Sequence, residues 1–122
     1  MATSENTADG TARERSIPRD LTSFQRNLLL VLSEEPKYGL AIKRELEDYY
    51  GEDVNHGRLY PNLDELVDQG LIDKSQLDKR TNQYELTELG YDTVEDHLEW
   101  VLDHVGAGDF SDRARSVIGE YC

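Results

Sequence analysis

The residues of this 122-residue chain best suited to chemistry are bases set in places cleared of acids. The stretch Val54 to Asp64, VNHGRLYPNLD, carries one base, Arg58, and no acid before its last residue. It does so in a chain with 13 Lys and Arg against 26 Asp and Glu. A second such place is Lys74 to Tyr84, where Lys74, Lys79 and Arg80 face only Asp78. Groups of this kind recognise a polyanion: a guanidinium suits guanine or phosphate in a two-pronged contact, and lysine supplies a point charge. Covalent chemistry has no comparable candidate. The chain lacks a phosphate-cradling glycine loop, His-Glu-x-x-His and Gly-x-Ser-x-Gly, and no carboxylate pair is singled out by spacing. His97 and His104 have no Cys or third ligand close by in sequence, and Cys122, the sole cysteine, has no activating neighbour. We therefore expect no catalytic residue, no cofactor and no bound metal.

Composition sets the medium. The net charge is -13 and only 37% of residues are hydrophobic, which alone would allow disorder. Regular apolar spacing from Leu21 to Val105 argues for a folded body that carries the charge on its surface. Asp and Glu are equally frequent and spread along the chain, and Arg outnumbers Lys. That is a halophile's surface. Near molar salt the screening length shrinks to roughly 3 Å, so like charges repel only locally. A lone cysteine, no apolar run near the ~20 residues of a membrane helix and no signal-peptide core predict a soluble, cytoplasmic protein with no membrane partner.

Stepping out from the two spared patches, the pattern predicts a first helix from Thr22 or Ser23 to Ser33, burying Phe24, Leu28, Val31 and Leu32, with Leu29 and Leu30 widening that face. A second helix, Gly39 to Tyr50, presents Ile42, Leu46, Tyr49 and Tyr50 and stops at Gly51 in a left-handed conformation. A third begins at Asn55 as N-cap, aligns Leu59, Leu63, Leu66 and Val67, and ends at Gly70. Pro61 requires either a later start or an irregular opening turn at Gly57, and the phase of Leu59 favours the irregular turn. Two strands follow, Leu71 to Leu77 and Asn82 to Thr87. A last helix runs from the cap Thr87 through Val105 to Gly106-Ala107-Gly108. The tail has only Phe110, Val117 and Ile118 as anchors.

Three helices and a hairpin give a mainly α fold with a small β-hairpin, a winged helix-turn-helix followed by a C-terminal dimerisation helix. We expect a flexible arm at 1–19, the winged helix at 20–87, the dimerisation helix at 88–106 and a tail at 107–122. The last helix carries Glu88, Asp92, Glu95, Asp96, Glu99 and Asp103 and no Lys or Arg, so charge is segregated by surface. Both patches that would face phosphate are spared. The expected DNA-binding residues are Asn55, His56, Arg58 and Tyr60 at the third helix, and Lys79, Arg80, Thr81, Asn82 and Gln83 in the wing. Alternatives stand beside them: a surface ion pair to Asp53 for Arg58, capping for Asn55, solvent for His56, core packing for Tyr60 and a solvated turn for the wing. Lys43 and Arg44 on the second helix offer a further phosphate contact, against which the surrounding Glu45, Glu47 and Asp48 favour a solvated face.

Tyr38-Gly39, Gly57-Arg58-Leu59-Tyr60-Pro61, Gly70-Leu71-Ile72 and Tyr84-Glu85-Leu86-Thr87 with Gly90 resemble the PadR-like transcriptional regulators over about residues 24 to 105. The resemblance implies a dimeric winged-helix DNA binder, usually a repressor. The wing departs from the family, which often has Gly or Pro beside its bases where this chain reads Lys79-Arg80-Thr81-Asn82.

Tyr91, Val94, Leu98, Val101, Leu102 and Val105 form a coiled-coil-like stripe on an otherwise acidic helix, and such a stripe needs a partner. We expect a homodimer on double-stranded DNA, with cations held between its carboxylates and the phosphates. The alternative is a winged-helix module that docks on other proteins of the transcription machinery and does not bind DNA directly.

Overall fold

Helix α1 (Ser23–Leu32) begins where Thr22 caps it. The Thr22 hydroxyl accepts the Gln25 N–H at 3.1 Å, and the Gln25 side-chain oxygen accepts the Thr22 N–H at 3.3 Å. This reciprocal pair satisfies two donors that every helix start leaves open. Phe24, Leu28, Leu29 and Leu32 fill the buried face. Leu30 is exposed, contrary to expectation, because it sits about half a turn from both Leu28 and Leu32. The computed structural model describes residues 17–76 and 81–121. Leu77 to Arg80, Cys122 and all but the last three residues of the expected arm lie outside the described residues.

Strand β1 (Lys37–Tyr38) leads directly into helix α2 (Gly39–Tyr50), which buries Ile42 and Leu46 and ends at Gly51 with φ 72°. Tyr49, expected inside, is 75% exposed. Tyr50 takes the inward position instead, its ring 6.2 Å from that of Phe24 and nearly parallel to it. Glu47 ties the end of α2 to the turn that follows, accepting from Lys43 Nζ at 2.8 Å and from the Val54 N–H at 2.9 Å. Both donors hold its carboxyl below the ordinary range. Val54 is buried beyond them.

Helix α3 (His56–Asp68) starts at the Asn55 cap, buries Leu59, Leu63 and Leu66, and contains Pro61. The opening turn is helical from His56 in place of the irregular turn expected at Gly57, the Arg58 and Leu59 N–H groups both donating to the Asn55 carbonyl at 3.1 Å. Pro61 has no N–H for the Gly57 carbonyl, and the helix continues past it.

Strands β2 (Ile72–Gln76) and β3 (Asn82–Leu86) form the wing, paired antiparallel from Ile72 opposite Leu86 to Gln76 opposite Asn82. The sheet has three strands and not two, in the order β1-β3-β2, because Lys37 and Tyr38 pair with Tyr84 and Gln83. As the central strand, β3 buries Tyr84 and Leu86. Lys37 anchors β1: its Nζ lies 2.8 Å from Glu34 and 3.0 Å from Glu45, which raise its pKa well above the ordinary lysine value.

Helix α4 (Glu88–Val105) is capped by Thr87, whose hydroxyl accepts the Gly90 N–H at 3.0 Å and donates to the Gly70 carbonyl at 2.6 Å. Gly90 passes so close to the Leu71 carbonyl oxygen that a Cβ would collide with it. Arg19 clasps Asp96 of α4 through two hydrogen bonds of 3.0 and 2.8 Å, holding that carboxyl below its usual range. Helix α5 (Ser111–Gly119) forms in the tail, and its inward residue is Ala114. Phe110, Val117 and Ile118, the expected anchors, are exposed.

Two measurements test this packing. Gly90→Ala will lower the unfolding free energy by about 1–3 kcal/mol in urea at molar KCl, the ordinary range for forcing a methyl group into filled space. Gly119→Ala, with open space around it, will leave stability unchanged or raised. The Arg19–Asp96 pair stabilises the fold while Asp96 is ionised, and because its folded pKa is depressed, that stabilisation is present above about pH 4 and disappears as pH falls through the folded value. Arg19→Gln will therefore be less stable than the parent at neutral pH, with the gap closing in acid.

Candidate nucleic-acid interface

The first turn of α3 has no acidic residue, and the Asn55 side chain accepts the Arg58 N–H at 2.8 Å. Asn55 thus serves as the cap, with its side chain still at the surface. The turn presents the positive end of the helix dipole, which favours an anion. His56 is exposed, and its ring lies nearly parallel to that of Tyr60, with 5.5 Å between centroids. Tyr60 is half-buried against the core, as the packing reading has it.

Tyr60 also fixes where α3 meets α2. A Cβ on Gly39 would come within 2.7 Å of the Tyr60 hydroxyl, so this ring occupies the space that a side chain at residue 39 would need. On the other flank, Gln25 of α1 donates to Asn62 Oδ1 at 3.1 Å and to Glu65 Oε2 at 3.0 Å. Asn62 Nδ2 in turn donates to the Arg58 carbonyl at 2.7 Å. Helix α3 is therefore clamped along both edges, with its tip left outside.

Arg58 is exposed, but it makes no ion pair with Asp53 or any other acid among the described residues. Its guanidinium carbon lies 4.0 Å from the centre of the Phe24 ring and 6.0 Å from that of Tyr50. The rings come from α1 and α2, so nothing next to Arg58 in the sequence signals the contact.

In the wing, Thr81, Asn82 and Gln83 are half-buried, and Gln83 lies between Tyr38 of β1 and Ser75 of β2. Lys79 and Arg80 fall outside the described residues. Lys74, at the middle of β2, approaches Asp64 at 3.4 Å. A cleft of about 540 Å³ separates the wing from α2, lined by Tyr38, Gly39, Arg44, Tyr60, Thr81 and Asn82 among others. It brings Tyr60, Thr81 and Asn82 together and adds Arg44, for which the sequence offers a phosphate contact but favours a solvated face. Arg44 is one turn beyond Leu40 of the same cleft, but Glu47 and Asp48 follow it at i+3 and i+4 and Glu47 is near enough to feel its charge, so its own stretch of sequence does not single it out. Lys43, expected on a solvated face, is instead paired with Glu47 at 2.8 Å, both side chains being largely covered.

The stripe on α4 divides. Val94 packs against the core, Val101 and Val105 are half-buried, and Tyr91, Leu98 and Leu102 are exposed, Leu98 by 54%. His97 and His104 flank the exposed Trp100, with ring centroids 6.2 and 4.2 Å away. Burial and the nearby Arg26 push the His97 pKa down. Among the described residues, no group of His, Cys, Asp and Glu is arranged to hold a metal.

Known proteins share this arrangement. The solved structure of H. salinarum RosR is 61% identical with a TM-score of 0.78, covering 84% of this chain and 94% of that one. The hsRosR-S1 complex matches with the same identity and score over 84% of this chain and 92% of that one. Bacillus subtilis PadR in complex with operator DNA is 25% identical with a TM-score of 0.55, over 63% of this chain and 47% of that one. The transcriptional activator GvpE of Haloferax mediterranei is 33% identical over 70 residues, and the chain spans 36% of that relative's length. Haloarchaeal relatives accord with the acid-rich surface of a halophile. The PadR-like family model matches residues 28–96, the span from α1 into α4 that builds the winged helix and its clamped third helix, and the chain belongs to the transcriptional regulator PadR-like family.

Proposed function

We propose that this regulator binds DNA sequence-specifically as a homodimer at high salt, with α3 in the major groove and the wing on the adjacent backbone or minor groove. The observation that carries the reading is the acid-free α3 tip, bordered by Arg58 on one edge and by the Arg44 cleft on the other. A polyanion is the partner that such a surface suits in a chain of net charge -13. Asn55, His56, Arg58 and Tyr60 act at the groove, and Lys79, Arg80, Thr81, Asn82 and Gln83 act at the wing. Arg44 contributes a phosphate contact from α2. The solved complex of a relative with operator DNA supports the assignment.

The exposed Tyr91, Leu98 and Leu102 supply the homodimer contact, and two tips related by a twofold axis read a palindromic site. No described helix is long and apolar enough to cross a membrane, and we place the protein in the cytoplasm, where it acts by binding and without catalysis. With few bases to release counterions, it holds DNA by close fit, helix-dipole contacts and cations trapped between carboxylates and phosphates. The competing reading, a winged helix that docks only on other proteins, predicts no enrichment of any duplex from a random pool.

Two outcomes are expected. Affinity for an enriched duplex, titrated from low to molar KCl, will fall far less than the steep loss usual for a basic DNA binder, or will rise. A steep loss would overturn the cation-bridged contact. Leu98→Asp will convert the dimer to a monomer by light scattering and weaken palindrome binding by about tenfold or more, since each half-site then binds alone.

A further inference from the structure

Arg58 meets rings and not acids. In a chain with 26 Asp and Glu, a carboxylate would have been the common partner, and Lys37, Lys43, Lys74, Arg19 and Arg115 each have one. The Arg58 guanidinium instead sits over Phe24, which is 3% exposed and stacked on Tyr50. Tyr50 is itself held in place, its hydroxyl accepting from Asn27 Nδ2 at 2.9 Å. Among the described residues no hydrogen bond uses the Arg58 guanidinium.

A guanidinium keeps its five donors in one plane and offers its face to an aromatic ring. Contact through the face leaves the donor edge unspent, whereas a carboxylate would have consumed it and would have to be displaced when DNA arrives. We propose that Phe24 and Tyr50 form an aromatic cradle that positions Arg58, so that its donor edge is presented ready-made to a guanine or phosphate and sets sequence discrimination. The inference rests on the DNA-binding reading above. Phe24 and Tyr50 act through Arg58 and are positioning residues, while Arg58 makes the contact. Preorganisation of this kind limits the rotamer freedom lost on binding, which is large for a free arginine. Asn62 adds to it by holding the Arg58 carbonyl.

The test uses the full chain in molar KCl, with a duplex enriched from a random pool and a scrambled duplex of the same composition. Arg58→Lys is expected to reduce the ratio of the two affinities by about tenfold, within the range for one bidentate base contact. Phe24→Leu is expected to reduce it several-fold in the parent and to change it less than twofold in the Arg58→Lys background. Equal effects of Phe24→Leu in both backgrounds would reduce the ring to a packing role and overturn the inference. Should Phe24→Leu fail to fold, Tyr50→Leu takes its place in the same cycle. Independently, the Arg58 side-chain protons of the free protein should resonate upfield of their random-coil positions through the ring current, and random-coil values would overturn the cradle. A parent chain that enriches no duplex sinks the DNA-binding reading itself, while enrichment with additive variants sinks the cradle alone.

Discussion

Everything that α3 offers to its surroundings depends on how closely it can approach α2, and that approach is set by Tyr60 lying where residue 39 has no side chain. Any Cβ there would push the ring away, and with it the first turn of α3. Because Tyr60 also stacks on His56 and borders the cleft beside the wing, one steric fact couples the helix tip, the start of α2 and β3. The Gln25 network performs the matching task on the far edge with hydrogen bonds, so α3 is fixed on one side by shape and on the other by polar pairing. Close packing of this kind has few alternative arrangements, so the first turn of α3 is held in one position.

Much of this was legible in the chain, for local reasons. Caps at Asn55 and Thr87 and the left-handed stop at Gly51 are decided within a few residues, and the structure has all three. The core stripe of Leu59, Leu63 and Leu66 follows from helical period alone. What could not be read depends on distant partners. Strand β1 is two residues long and exists only because β3 comes to pair with it. Tyr49 and Tyr50 are neighbours of equal hydrophobicity, and only the position of Phe24 decides which turns inward. The rings beneath Arg58 come from two other helices, so its ion-pair alternative looked reasonable from sequence and is absent among the described residues. Arg44 could not be singled out among its acids, because its place at the cleft depends on Tyr60 and the wing, which come from distant parts of the chain.

The acidic surface and the spared tip belong to one electrostatic arrangement. Molar salt removes long-range steering, leaving recognition to contacts of a few ångströms. Fixed geometry then matters more than total charge, and a protein of net charge -13 can still belong to a family of transcriptional regulators.

Among the described residues, the order of the sheet leaves the outer side of β2 with no neighbouring strand. Its residues Asp73, Lys74, Ser75 and Gln76 are exposed and polar, with a charge of each sign at the middle of the strand. An open backbone ladder is a template for unwanted fibril growth, and charged side chains along it make burial against a stacked copy costly in desolvation. The open edge of the wing is thus ill-suited to templating a further strand, even in a sheet so small.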